Sequence, residues 1–185
     1  GTFNDTLDFD SGVGVENTAG SAVTAYNLFL SKVNTDGDFE FVFTNPGDNY
    51  STANAISINN DGSIYVAGNF NGTVDFDPGP GTANLSSSNS GAYILKLDTD
   101  GNFIWAKSTS GPEYEYGRAI AVDNTQNVYV TGEFSGTVDF DPGVGIANLT
   151  ANIISTYNLG DVFVLKLDNS GNFVWALQIG GTDDD

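Results

Sequence analysis

Cysteine, methionine and histidine are absent from this chain. Without cysteine there is no disulfide framework and no thiol nucleophile, although that absence alone fixes no compartment. Without histidine the commonest general base is missing. Lysine and arginine together number 5 against 24 aspartates and glutamates, which leaves a net charge of −19. Nucleic acid and anionic membrane surfaces repel such a chain, so neither is expected as a partner. The same charge favours cations, and it serves solubility equally. No run approaches the roughly 18 apolar residues that a membrane span needs, so no insertion is expected. Nor does a charged segment followed by an apolar one open the chain.

What is abundant points to strands. The 13 Phe and 8 Tyr are β-forming residues, and the 23 Gly supply tight turns. One stretch organises the chain: G-N-F-N-G-T-V-D-F-D-P-G at Gly68 to Gly79 returns as G-E-F-S-G-T-V-D-F-D-P-G at Gly132 to Gly143. A worn copy, G-T-F-N-D-T-L-D-F-D-S-G, occupies Gly1 to Gly12. The repeat therefore divides the chain into units at residues 1–67, 68–131 and 132–185. Gly1 falls at a unit start, as an internal boundary would.

Within each unit the same short apolar runs recur between Gly, Asn and Asp. Thr6 to Phe9 matches Thr73 to Phe76 and Thr137 to Phe140; Asn27 to Val33 matches Ala92 to Leu97 and Val162 to Leu167. Phe39 to Phe43 then matches Phe103 to Lys107 and Phe173 to Leu177. Ala55 to Ile58 with Ile64 to Ala67, and Ala119 to Val122 with Val128 to Thr131, close the first two units. Short β-branched and aromatic runs bounded by turn formers read as strands, and no helical periodicity is sustained. The connectors Asn34 to Asp38, Asp98 to Asn102 and Asp168 to Asn172 read as hairpin turns with Gly at the positive-φ position. The expected fold is all-β, a tandem array of antiparallel meander strands of the propeller-blade kind. Phe103, Trp105 and Ile120, with Phe39, Phe41, Ile56, Phe173 and Trp175, are the expected packing bulk between units.

The pattern G-x-F-x-G-T-V-D-F, then V-F-V-L-K-L-D-x-x-G-N-F-V-W-A, then A-I-A-V-D-x-x-x-N-V-Y-V-T-G resembles the bacterial β-propeller repeat family called SBBP. The resemblance covers essentially the whole chain, is clearest over Gly68 to Thr131 and is weakest in the first unit. It implies tandem blades in a secreted or surface-attached protein and carries no catalytic residues with it. The third unit stops at Thr182 to Asp185, so the equivalents of its last two strands are missing. Either a longer parent chain or a neighbouring copy, added head to tail, is expected to finish the sheet.

Chemistry concentrates in D-F-D-P-G. On an extended strand Asp75 and Asp77 share a face, as do Asp139 with Asp141 and Asp8 with Asp10. Paired carboxylates repel unless neutralised, and an oxygen-only set suits Ca²⁺. The competing reading makes these aspartates turn caps that pair with the repeated Lys32, Lys96 or Lys166. A threefold copy at strand ends is unlike a single catalytic pair, so no enzyme activity is expected. Asn-x-Ser/Thr triplets at Asn4, Asn49, Asn71, Asn84 and Asn148 leave glycan attachment open. The expected role is a non-enzymatic extracellular or cell-surface building block, calcium-stabilised and self-assembling head to tail into an array or filament. The alternative is a propeller-type module that recognises carbohydrate, surface glycans included, or protein through the loops Val13 to Tyr26 and Ile146 to Gly160.

Overall fold

The computed structural model describes residues 1–10, 12, 14–18, 26–45, 49–109, 111–151 and 160–181. Among them every regular element is a β-strand, and no helix is long and apolar enough to cross a membrane. In chain order these are β1 (Thr2–Phe3), β2 (Leu7–Asp8), β3 (Asn17–Thr18), β4 (Asn27–Val33) and β5 (Phe39–Thr44). Next come β6 (Ser51–Ile58), β7 (Ile64–Asp75), β8 (Asn84–Leu97), β9 (Phe103–Ser108) and β10 (Glu115–Val122). The last are β11 (Val128–Phe134), β12 (Thr137–Asp139), β13 (Asn148–Thr150), β14 (Asp161–Leu167) and β15 (Phe173–Ile179). Ser11, the chain end from Thr182, and parts of both long loops (Val13, 19–25 and 152–159) lie outside the described residues.

Three antiparallel sheets succeed one another: β1-β4-β5, then β6-β7-β8-β9, then β10-β11-β14-β15. The sheets run out of phase with the sequence repeat. Unit boundaries at Gly68 and Gly132 fall inside β7 and β11, whereas the sheets change between β5 and β6 and between β9 and β10. The third sheet thus holds four strands, and the first holds three among the described residues. The strands that the sequence assigns to the end of one unit start the sheet of the next.

Two predicted runs fuse in the middle sheet. Ile64 to Ala67 and Thr73 to Phe76 join in β7, whose pairing with β8 shifts register between Phe70 and Gly72. Gly72 sits at φ 70°, the left-handed region that a residue without Cβ enters freely. In the third sheet the corresponding Gly136, at φ 69°, separates β11 from the β12–β13 hairpin.

Packing explains the burial pattern. Ile64 to Phe70 in β7 and Ser90 to Leu97 in β8 are buried on both faces, so they form a continuous buried run. In β11 and β14 burial alternates strictly with period two. The middle sheet has a neighbour on each side and the third has one, and this difference alone accounts for the contrast. Ile64, Val66, Tyr93, Leu95 and Leu97 pack with Leu28 and Phe43 of the first sheet. Tyr65, Ala67, Ala92 and Ile94 pack the other way, against Val128, Val130, Phe163 and Leu165. The expected bulk takes its place: Phe41 and Phe103 support one core, and Trp105, Ile120 and Phe173 the other. Ile56 departs from the expectation and is 50% exposed, lining a hollow with Leu30 of β4.

An aromatic triad recurs once per unit. Phe70, Phe76 and Tyr93 have ring centroids 5.6, 6.3 and 4.7 Å apart, meeting edge to face or tilted. Phe134, Phe140 and Phe163 repeat this at 5.2, 6.4 and 4.9 Å. Phe3, Phe9 and Phe29 repeat it again at 5.5, 6.2 and 4.9 Å. Such geometry adds about 0.5–1.5 kcal/mol per pair beyond area burial. The Tyr93 hydroxyl keeps its polarity satisfied by donating to the Thr52 carbonyl at 2.8 Å, and burial raises its pKa far above the ordinary tyrosine range.

Candidate functional site

The D-F-D element is a loop latch. Asp75 Oδ1 accepts from the backbone N–H of Asp77 at 3.0 Å and of Ala83 at 2.8 Å, while Asp77 Oδ1 accepts from Gly79 at 2.8 Å. Asp139 and Asp141 do the same with Ala147 and Gly143, at 3.0, 2.8 and 2.8 Å. Asp8 and Asp10 do so with Glu16 and Gly12, at 3.1, 2.9 and 2.7 Å. Side chains that bond N–H groups two residues on are Asx turns, one inside another. The Phe76 N–H donates to the Ala83 carbonyl at 3.2 Å and closes the loop. The intervening Phe76 is then driven into the triad, fully buried, as is Phe140.

A second glycine completes this motif and was visible in the sequence as D-F-D-x-G-x-G. A side chain on Gly81 or Gly145 would collide with Oδ2 of Asp77 or Asp141, and one on Gly14 with Asp10. The loop folds around the carboxylate, and only glycine leaves room for it there.

The repeated lysines turn elsewhere. Lys32 Nζ donates to the Thr99 carbonyl of the next sheet's turn at 3.1 Å and pairs with Glu40 at 2.8 Å. Lys96 donates to Oδ1 and the carbonyl of Asn169, again in the next sheet's turn. Trp105 Nε1 donates to the Asn169 carbonyl at 3.1 Å, and the Tyr65 hydroxyl bonds its Oδ1 at 3.4 Å. Lys96 also lies 5.1 Å from the Tyr65 ring centroid, and Lys166 lies 5.0 Å from that of Tyr129. Burial lowers the Lys96 pKa, with Asp61 opposing. These lysines are clasps between sheets, so for Lys32 and Lys96 the expected pairing with the D-F-D aspartates is not made.

The hairpin turns are capped as expected. Asp98 Oδ1 accepts from the N–H of Asp100 and Asn102 at 2.9 and 2.8 Å, and Asn102 Nδ2 donates to Oδ2 at 2.8 Å. The Asn102 side chain is the first cause of a lowered carboxyl pKa, and Asp168 with Asn172 behaves alike.

Latch and turn meet at one place. A cleft of about 460 Å³ opens between the first and second sheets, lined by Asp77 to Pro80, by Asp100 to Phe103 and by Phe41 to Thr44. Two aspartates stand at its rim and Phe41 with Phe103 lies along it. No group of three or more acidic side chains able to hold a metal occurs among the described residues, so the six predicted aspartates remain three separate pairs.

No family model matches the chain. Over 131 residues it is 32% identical to the uncharacterized WD repeat-containing protein L264 of Acanthamoeba polyphaga mimivirus, an alignment covering 66% of this chain and 9% of that protein. The chain thus spans about a tenth of the length of the relative it matches. A repeated four-stranded meander and a WD-repeat relative agree. This is a repeat protein of β-propeller-like build. Its sheets are blades, with β6 and β10 side by side as first strands, and the lysine clasps and aromatic triads are the joints of a propeller-like stack.

Proposed function

We propose that the chain is a non-enzymatic, propeller-type binding module of a longer protein and that it takes a Lys- or Arg-bearing segment of a partner protein. The cleft carries this reading: Asp77 and Asp100 stand over an aromatic wall on a chain of net charge −19. A cationic side chain finds carboxylate partners there, and its aliphatic stem finds Phe41 and Phe103. The WD-repeat relative supports a module of this kind over an array or filament. The SBBP-type surface setting, extracellular or cell-bound, is part of the same proposal.

The test is a titration with a lysine-rich peptide and its glutamine-substituted twin. Binding of the first alone is expected, weakening as salt rises. The Asp77→Asn, Asp100→Asn double variant keeps a side-chain oxygen for the Gly79 N–H that Asp77 accepts and is expected to lose about tenfold in affinity, or 1.4 kcal/mol. Equal binding of both peptides, or an unmoved affinity in the variant, overturns the reading.

Calcium at the pairs Asp8/Asp10, Asp75/Asp77 and Asp139/Asp141 is a second, separate proposal, supported by their threefold repetition. Each ion would meet carboxylate oxygens and loop carbonyls. Saturating Ca²⁺ at a hundred times its dissociation constant is expected to stabilise the fold by about 2.7 kcal/mol per site. Identical thermal midpoints in Ca²⁺ and in EDTA would leave the aspartates as latches only.

A further inference from the structure

The cleft between the first two blades is bordered by the free edge of a strand. β5 ends the first sheet, and among the described residues it pairs with β4 alone. β9 ends the middle sheet in the same way, although that blade has a neighbour on each side. A free outer edge is therefore a property of the blade and does not come from where the sequence starts or stops.

The direction of the β5 backbone follows from its partner. The Phe29 N–H donates to the Gly1 carbonyl, away from β5, at 2.9 Å. Hydrogen-bonding groups alternate along a strand, so Leu30 and Lys32 bond β5 through Phe43 and Phe41. Val42 and Thr44 then turn N–H and C=O outward, and among the described residues nothing hydrogen-bonds to them there. The side chains of Phe41 and Phe43 point to the second blade, and those of Val42 and Thr44 to the other face. All four residues line the cleft, so it runs along the backbone edge of β5 and not over one face only.

We infer that the cleft takes its cationic segment as an added strand: an extended piece of a partner protein pairs with the outer edge of β5 and carries Lys or Arg at every second position. This rests on the reading of the cleft given above. Main-chain bonds to Val42 and Thr44 supply the hold. Side chains alternate, so every second one turns to the second blade, where Asp77 and Asp100 stand. The 5 Lys and Arg residues of this chain never stand at alternate positions. A further unit of the same repeat does not supply such a segment, and a different protein does.

The second joint differs in charge. Asp141, Ser170 and Lys107 stand there where Asp77, Asp100 and Phe43 stand in the first. The Lys107 stem lies with Trp105 against Gly171 of the turn. One carboxylate fewer and one cation more make β9 the poorer edge, so a single segment is expected to bind this chain.

The test is calorimetric titration with blocked Lys-Val-Lys-Val-Lys, with Lys-Lys-Lys-Val-Val, and with two copies of the first peptide that are N-methylated on the valines or on the lysines. The alternating peptide is expected to bind about tenfold tighter than its rearranged twin. N-methylation of one alternate set is expected to abolish binding and of the other to leave it, since only one set turns its N–H to β5. Val42→Pro removes one outward N–H without taking a bond from β4, a place where an edge strand tolerates proline. It is expected to weaken the alternating peptide about tenfold, and urea unfolding checks that the sheet is kept. Equal binding of the two arrangements, N-methylation that acts on both sets alike or on neither, or an unmoved affinity in Val42→Pro overturns strand addition and leaves the cationic reading standing. No binding by any of the lysine peptides overturns the cationic reading and this inference with it.

Discussion

Phe76→Ala is expected to lower unfolding free energy by about 3–5 kcal/mol, the range for deleting a fully buried aromatic ring. Phe76 is wholly buried and touches Phe70 and Tyr93 at 5.6 and 4.7 Å between centroids. Removing it empties the centre of a triad that Asp75 and Asp77 hold closed from outside, so the loss includes a cavity that a latched loop resists filling. Phe140→Ala is expected to cost as much, because its triad repeats the geometry at 5.2 and 4.9 Å. Phe9→Ala is expected to cost about half, since Phe9 is only half-buried. Urea denaturation of the three variants checks this ranking. Equal losses at all three sites would mean that the triads do not act as joints between blades.

Glu115→Gln is expected to stabilise the protein, and increasingly so as pH rises. Glu115 opens β10 fully buried, and neither carboxyl oxygen has a hydrogen-bond partner among the described residues. It lies against Gly111 and Val138. Burial pushes its pKa from 4.5 up to about 8 and Glu113 adds to the shift, while the Thr109 hydroxyl, near but outside hydrogen-bonding geometry, opposes it. Below pH 4.5 the carboxyl is protonated folded or unfolded, and the group is neutral to stability. Between pH 4.5 and about 8 the unfolded chain gives up the proton first, so stability falls as pH rises; above about 8 the penalty is complete. An amide of the same shape does not ionise. The difference in unfolding free energy between variant and parent is expected to grow from near zero at pH 4 to about 2–4 kcal/mol at pH 8.5. A difference that stays flat across that range would show that the carboxyl is ionised and solvated in the folded protein.

The equivalent place one blade earlier explains why this glutamate stands out. There Ser51 opens β6, also fully buried, and its hydroxyl donates to Asn45 Oδ1 at 3.0 Å while accepting from the Leu28 N–H at 3.1 Å. The Ser51 hydroxyl is thereby satisfied, whereas Glu115, in the same position beside Thr109, brings a carboxyl into an equally buried place. Nothing in the primary sequence marked Glu115, because an acidic residue beside Tyr114 at a strand start reads as a solvated edge.

Much of the remainder was legible. The strand class, the period near 65 residues and the turn positions all follow from local chemistry: aromatic and β-branched runs, Gly at positive φ, and Asp or Asn able to bond the backbone two residues on. The latch was half legible, since D-F-D was read as paired carboxylates while the second glycine, at 14, 81 and 145, already indicated a loop wrapped around one of them. The cleft was not legible. Asp77 and Asp100 are separated along the chain, and only the stacking of one blade on another brings them to the same rim.

By itself the sequence determined the repeat and what each copy is made of. It could not choose where a blade begins, because a periodic sequence has no privileged origin and any shift of the frame yields the same repeat. Hydrogen bonding between strands made that choice, pairing β6 with β7 and β10 with β11 across the unit boundaries. Stacking then decided burial, covering Tyr65 completely and leaving its counterpart Tyr129 half-covered. Two tyrosines of like sequence surroundings differ only in whether another sheet lies against them, and that is a property of the tertiary structure.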